Sequence, residues 1–458
     1  MTTPGERTDL EAVTTTVQER IDPTPEERDR LAATAERLIE RAEAAVADQP
    51  VDGEVMQVGS TARGTWISGD RDIDIFVCYP PSIDRAELEE YGLEVGHEIL
   101  PDGREEYAEH PYVTGTVDGF DVDLVPCYAV DSATEIRSAV DRTPFHTAYI
   151  ERRLTDELAA EIRLFKQFLK GIGAYGSNLR TRGFSGYLTE LLVLEYGSFE
   201  TVVSAAADWH PPVELDPAGH AAESFDDPLV VIDPTDPERN VAAVCSAENV
   251  ARLQHYAREL LATPRKELFF PEPIEPIDAD ELATHIDRRS TTPVTIVFET
   301  PDLVDDQLYP QLRKSLAGIT DELDRRGFDV VRKTCFANGR SVLYIELGVA
   351  ERPAVERHAG PPVHVGDHAA GFYEKYADTD DPMVYGPFID GDRYIVERER
   401  SFTDAISFLN SEAILETRLG PAIESAIETD YSVLVGEEIT ELTEEFGTEL
   451  ARYYEPRP

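Results

Sequence analysis

Residues 59–77 read GSTARGTWISGDRDIDIFV, and the theme returns at 120–126 as FDVDLVP. The end of the first stretch alternates as a strand does. Asp72 and Asp74 therefore leave one face together while Ile73 and Ile75 enter the other. Two carboxylates so placed repel unless a cation lies between them, and hard oxygen donors suit Mg2+. Asp121-Val122-Asp123-Leu124 repeats the alternation and offers a third carboxylate. Taken alone, an Asp-x-Asp in so acidic a chain reads more readily as a strand's solvent face. The residues before it add weight: Gly59-Ser60 is a turn leading into a helix, with Arg63 three positions after Ser60. Such a turn presents free backbone N–H groups and a hydroxyl to a phosphate, and Arg63 can add a charge-assisted bond. Together these parts suit in-line phosphoryl transfer at a two-metal site, in which one metal activates the attacking hydroxyl and the other holds the triphosphate and leaving group. No Ser or Cys paired with a His stands out, so no covalent intermediate is called for.

Working outward, GEVMQVGS is a strand running into the Gly-Ser turn, and RDIDIFVCYP is a strand stopped by Pro80 and Pro81. Two more strands meet at Asp118-Gly119. Upstream, Thr24-Pro25-Glu26-Glu27 is a helix start, and Leu31, Ala35, Leu38, Ala42 and Ala45 keep helical spacing through residue 47. Residues 147–171, 186–197 and 247–262 are expected to be helical, and the Pro- and Asp-rich stretch 208–238 a long loop. FFPEPIEPID, with Pro271, Pro273 and Pro276, is the linker candidate. Beyond it come a strand (TPVTIVFETP), an amphipathic helix over 307–326 and a hairpin turning at Asn338-Gly339. That order predicts a small α+β layer of the ferredoxin or RNA-recognition-motif kind. The last hundred residues mix loops, helices and a strand (RYIVERER).

The chain has 458 residues, 41% of them hydrophobic, which excludes a wholly disordered protein and predicts about three domains. No run approaches the length of a membrane helix, and the N-terminus lacks the basic and apolar regions of a secretory signal, so a cytoplasmic protein is expected. Cys78, Cys127, Cys245 and Cys335 are far apart in sequence, so neither a disulfide framework nor a Cys zinc site is expected. Asp plus Glu number 91 against 42 Lys plus Arg, a formal charge of −49, and only six of the basic residues are lysines. The acid is spread along the whole chain. Uniform acidity with scarce lysine fits a protein folded in molar salt, where the Debye length is about 3 Å. The alternative is an ordinary acidic mesophilic protein. Under the first, dilution into low salt should inactivate and partly unfold the chain.

Against this background residues 162–189, IRLFKQFLKGIGAYGSNLRTRGFSGYLT, carry no acid and five basic residues: Arg163, Lys166, Lys170, Arg180 and Arg182. Arg163, Lys166 and Lys170 share one helical face. A local positive face in such a chain implies a phosphate-rich partner, the alternative being a solvated basic face. His146, in RTPFHT, can bind a phosphate or ribose, although a single His is more often structural.

With these residues on the page, GSTARGTWISGDRDIDIFV and FDVDLVP resemble the nucleotidyltransferase superfamily that includes DNA polymerase beta. SAVDRTPFHT, RLFKQFLKGIGAYGS and TRGFSGYLTELLVLEYGSFE resemble the archaeal class I CCA-adding enzymes, and HAGPPVHVGDHAAGFYEKY with GPFIDGDRYIVERER extends the likeness into the C-terminal half. The resemblance implies a multidomain α+β protein. Its expected parts are a polymerase-beta-like nucleotidyltransferase head (1–145), a helical central domain (146–270), a ferredoxin/RRM-like body (271–355), and a C-terminal tail with the remainder of the body (356–458). It implies template-independent addition of CMP, CMP and AMP from CTP and ATP to the 3′ end of tRNA. It assigns Asp72, Asp74 and Asp123 to Mg2+, with Asp123 placed to help activate the terminal 3′-hydroxyl. Ser60, Arg63, His146, Lys166 and Tyr175 fall at nucleotide-contacting positions, and Arg239 at the arginine that helps choose the base. A homodimer is the family expectation, with no DNA and no membrane partner.

Rival functions separate by sequence features. Poly(A) or poly(U) polymerases and antibiotic-modifying nucleotidyltransferases share the head, and the C-terminal half distinguishes them. A non-catalytic RNA-binding protein would have lost a carboxylate, and all three are present. For a small-molecule-binding regulator the basic stretch would be surplus.

Overall fold

Helices α1 (Pro4–Ile21) and α2 (Pro25–Ala47) open the computed structural model, which describes residues 4–107 and 109–458. Thr24 starts α2 with a capping box: its hydroxyl accepts the Glu27 backbone N–H, and the Glu27 carboxylate accepts the Thr24 N–H. The buried stripe of α2, including Leu31, Leu38 and Val46, packs into the core beneath the first sheet.

That sheet is built from β1 (Glu54–Val58), β2 (Asp72–Tyr79), β3 (Arg104–Tyr107), β4 (Pro111–Val117) and β5 (Phe120–Tyr128), with α3 (Gly59–Arg63) between β1 and β2 and α4 (Arg85–Ile99) after β2. The strand order is β1-β2-β5-β4-β3, with only the β2–β5 pair parallel. Ile73 and Ile75 of β2 and Val122 and Leu124 of β5 are fully buried in the core shared with α2 and α4. The alternate residues, Asp72, Asp74, Asp121 and Asp123, therefore all point to the other face. The same parallel register sets Cys78 beside Cys127, so two cysteines distant in sequence lie 3.2 Å apart as buried free thiols.

The next part is helical: α5 (Thr143–Glu151), α6 (Asp156–Gly171), α7 (Gly186–Tyr196), α8 (Phe199–Ala207) and α9 (Ala247–Ala262). The helix expected over 147–171 is two helices. Thr155 caps the second, its side chain accepting the Leu158 N–H, which ends the path of the first. The loop expected at 208–238 carries β6 (Val213–Leu215), β7 (Leu229–Asp233) and the start of β8 (Asp236–Asn240), a three-stranded sheet. Its Pro and Asp content hid the short run Leu229–Ile232, which is buried. Ahead of Thr24, Leu10, Val17 and Ile21 of α1 pack into the same core as Phe165, Phe168 and Leu191.

The chain divides into two units, one ending at Glu272 and the other running Pro273–Arg457, so the division falls inside the proline-rich stretch. The second unit contains α10 (Ala279–Arg289), β9 (Thr292–Glu299), α11 (Asp305–Arg325) and the hairpin β10 (Val330–Ala337) and β11 (Arg340–Leu347). After these come β12 (Val355–Pro362), α12 (Gly366–Ala377), β13 (Tyr385–Asp390), β14 (Arg393–Glu399), α13 (Ala405–Leu409), α14 (Pro421–Thr429), β15 (Ser432–Val435) and α15 (Thr443–Tyr454). The α+β layer is an antiparallel sheet ordered β10-β11-β9-β15, whose fourth strand comes from far beyond the hairpin. One of its faces packs on α11 and α14, the other on α10 and α15. Strands β12, β14 and β13 form a separate small sheet. Among the described residues no helix is long and apolar enough to cross a membrane.

Candidate functional site

The β2–β5 register puts Asp72 opposite Asp121 and Asp74 opposite Asp123. Asp72 is exposed, whereas Asp74 and Asp123 are partly buried. Burial, then the charges of Asp123 and Asp72, push Asp74 up to about 6. Burial raises Asp123 also, although a bond from Thr114 opposes it. Asp72 is raised by burial and by Asp70. Three carboxylates whose proton affinity is raised by burial and by neighbouring carboxylates form a cation-seeking face. Among the described residues no three His, Cys, Asp or Glu side chains stand close enough together to hold an ion by themselves. The donor set, carboxylate oxygens on one face, suits a hard cation such as Mg2+, which is held by one or two carboxylates and completed by waters and substrate phosphates.

Gly59 joins this face to the turn. Its φ is +78°, and a Cβ there would stand 2.1 Å from Asp74 Oδ2, so only glycine lets the backbone come this close. Ser60 follows on α3, which Gly64 ends in a left-handed conformation. Ser60, Arg63, Thr65, Lys166, Tyr175 and Glu190 are among the residues lining one cavity of about 220 Å3.

Arg63, expected to face a phosphate, is occupied within the protein. Its Nε donates to Glu190 Oε1 at 3.1 Å, one terminal nitrogen lies 2.9 Å from Glu190 Oε2, and the other donates to Thr147 Oγ1 at 3.0 Å. The Thr65 hydroxyl donates to Glu190 Oε1 at 2.6 Å. The Arg63 side chain is 8% exposed and that of Glu190 3%. Arg63 is thus a strut tying the Gly-Ser turn to α5 and α7, and it reaches Asp74 through its positive field, which lowers that carboxyl's proton affinity.

Arg163 and Lys166 of the basic α6 face also turn inward, while Lys170 at its end stays exposed. Arg163 Nε bonds Asp22 Oδ1 at 2.7 Å, and its guanidinium donates to the Gly64 carbonyl at 2.6 Å. Lys166 Nζ reaches Asp70 Oδ2 at 2.6 Å, and Lys170 Nζ reaches Oδ1 at 3.0 Å. This corrects the expectation of a free positive face. The missing acid of 162–189 is supplied by Asp22 and Asp70, far away in sequence. Burial would raise the Asp70 carboxyl, but the two lysines outweigh it and hold it below its ordinary value. Tyr175, beneath both ammoniums, is pushed up to about 12 by burial.

His146 and Arg239 meet elsewhere, on one buried carboxylate. His146 Nε2 lies 2.8 Å from Asp233 Oδ2, and an Arg239 terminal nitrogen donates to the same oxygen at 2.7 Å. The imidazole stacks on Tyr187, ring centroids 3.9 Å apart and 15° from parallel. Burial pulls His146 below its ordinary value, with Asp233 opposing. Burial would raise Asp233, but His146 and the Thr235 N–H and hydroxyl outweigh it, leaving its carboxyl well below the usual range. The Arg239 side chain remains 34% exposed. The fold therefore groups Ser60, Arg63, Lys166 and Tyr175 around one cavity and His146 with Arg239 in a cluster. Arg63 links the two through Thr147, the neighbour of His146.

Asp70, Glu190, Asp233 and Tyr187 escaped the sequence reading. Glu190 left a trace: it is a lone acid in the apolar run Leu188–Leu194, the pattern of a buried charge with a partner. Asp70 and Asp233 are hidden among many acids.

Residues 39–146 match a nucleotidyltransferase domain, 160–270 the second domain of tRNA nucleotidyltransferase, and 289–436 the C-terminal domain of the CCA-adding enzyme. The chain is 61% identical to the CCA-adding enzyme of Haloarcula marismortui, across 98% of this chain and 99% of that one. It is 59% identical to that of Halorubrum lacusprofundi, across 98% and 100%. It is 43% identical to that of Methanoregula boonei, across 96% and 94%.

Proposed function

The chain belongs to the CCA-adding enzyme family of nucleotidyltransferases, and on that premise we propose that it builds and repairs the 3′-terminal CCA of tRNA without a template. CTP and then ATP are the donors, and pyrophosphate leaves. The observation that carries this reading is the register that sets Asp74 beside Asp123, with Gly59-Ser60 packed against Asp74.

Asp72, Asp74 and Asp123 would hold Mg2+, which when bound neutralises the polyphosphate and lowers the pKa of the attacking hydroxyl. Asp123 stands on β5 beside Asp74 and takes the side of the tRNA terminal 3′-hydroxyl, accepting its proton as the bond to the α-phosphate forms. The Ser60 hydroxyl and the adjoining backbone N–H groups cradle the phosphates at the cavity mouth. Lys166 neutralises the departing charge from within the cavity, and Tyr175 forms its apolar wall. Arg63 keeps the turn in place through Glu190. Arg239, anchored on Asp233 and partly exposed, turns its remaining donors to the base edge, and the His146–Tyr187 stack gives that edge a fixed wall. A site built to bond cytosine and adenine edges rejects UTP and GTP by leaving buried polar groups unpaired. Residues 1–145 serve as catalytic head, 146–270 as central domain, and 271–355 with 356–458 as body and tail on the tRNA. The enzyme works in the cytoplasm as a homodimer, with no DNA partner.

The test is incorporation into a tRNA transcript lacking CCA, in molar KCl with Mg2+, supplied with CTP, ATP or both, and with Asp74→Ala as control. The expected result is two C from CTP alone, one further A when both are present, and nothing from the variant. Open-ended A or U tails, or no incorporation at any salt, would overturn the proposal.

A further inference from the structure

Two of the chain's six lysines, Lys166 and Lys170, end on the two oxygens of one carboxylate, that of Asp70. Both ammoniums stand over the Tyr175 ring, 5.5 and 5.6 Å from its centroid. Lys166 is buried and lines the same cavity as Ser60. Asp70 is itself pinned by its own turn: its Oδ2 accepts the Ile67 N–H at 3.2 Å, and its N–H donates to the Ile67 carbonyl at 2.8 Å. A rigid carboxylate thus presents two anionic oxygens to two ammoniums at the wall of the pocket.

A buried ammonium is costly to leave without an anion beside it. A pocket that is to receive a polyphosphate on lysines must therefore carry an anion of its own when empty. We propose that Asp70 is that anion, a stand-in for a nucleotide phosphate: it occupies Lys166 and Lys170 while the pocket is empty, and gives up its lysine contacts when a polyphosphate enters. This rests on the cavity being the nucleotide site. Asp70 is then a positioning residue that competes with the ligand it prepares for, because entry exchanges two charge-assisted bonds for others instead of adding to them. It also ties pocket occupancy to the strand carrying the catalytic carboxylates, because that strand begins at Asp72, only two residues further on.

The test is calorimetric titration of CTP, and separately of inorganic triphosphate, into the wild type, Asp70→Asn, Asp70→Glu and Lys166→Met at one fixed molar KCl concentration. Asn keeps an oxygen for the Ile67 N–H, and Asp70→Ser serves if the Asn protein fails to fold. Wild type should bind both probes and Lys166→Met should bind both more weakly. Asp70→Asn should tighten both by about tenfold, the scale of a partly exposed charge-assisted bond, with a parallel fall in KM for CTP. Asp70→Glu should return the wild-type affinity. Unchanged or weaker binding by Asp70→Asn, with Lys166→Met still impaired, overturns the stand-in role and leaves the pocket assignment intact. Undiminished CTP binding by Lys166→Met overturns the pocket assignment itself.

Discussion

Arg63→Met separates a strut from a phosphate ligand. The substitution keeps much of the side-chain volume but strips Glu190 of its cation, leaving a carboxylate that is 3% exposed among Leu188, Leu191 and Leu194 of α7. Removing one partner of a buried pair costs about 3–5 kcal/mol. The Thr65 hydroxyl stays on Glu190 Oε1 at 2.6 Å, so the low end of that range, about 3 kcal/mol, applies here. For a unit of this size that loss corresponds to a Tm lower by about 6–12 °C. Adding Glu190→Gln removes the stranded charge, and the double variant should recover about 2 kcal/mol, a coupling of the size expected for residues in direct contact. The assay is thermal unfolding of the four proteins of the cycle in the same molar KCl, followed by near-ultraviolet circular dichroism. A Tm unchanged in Arg63→Met, together with a large rise in KM for CTP, would show that the guanidinium serves the substrate and not Glu190.

Gly59→Ala places a methyl group 2.1 Å from Asp74 Oδ2 at a φ of +78°, so the turn or the carboxylate must move. CMP incorporation should fall about 100-fold, as for catalytic groups displaced by around 1 Å, and a rate within twofold of wild type would show that Asp74 adjusts freely. Asp233 has a folded-state pKa below its unfolded value of about 3.9, so it stabilises the protein above that pH, and the stabilisation is lost as pH falls through the folded value. Asp233→Asn should therefore be less stable at pH 7, with the gap to wild type closing below pH ~3.9 in urea unfolding. A gap that is constant with pH would show that the ionised carboxylate is not what holds His146 and Arg239.

Periodicity made most elements legible. The 24–47 helix, the β2 and β5 strands, the hairpin at Asn338-Gly339 and the 247–262 helix all stand where the pattern puts them, because each buries a regular stripe or alternate face. The exceptions lack such a pattern. Leu229–Ile232 is an unbroken apolar run among prolines, and β15 is four residues long and pairs with a strand over a hundred positions earlier. Such elements exist because a neighbouring strand supplies their hydrogen bonds, which local propensity does not record.

The sequence by itself determined the face: the alternation of Asp72 with Ile73 and Asp74 with Ile75 sends the carboxylates to one side of the sheet, and Gly59-Ser60 stands just ahead of them. Only the tertiary structure decided what the cations do. Arg63, Arg163, Lys166 and Lys170 looked like a surface offered to phosphate, and the fold gives them to Glu190, Asp22 and Asp70. The reason is physical. A strand's faces are fixed by backbone geometry between neighbouring residues, whereas a buried charge must be neutralised by whichever opposite charge the fold brings within about 3 Å, at any separation along the chain.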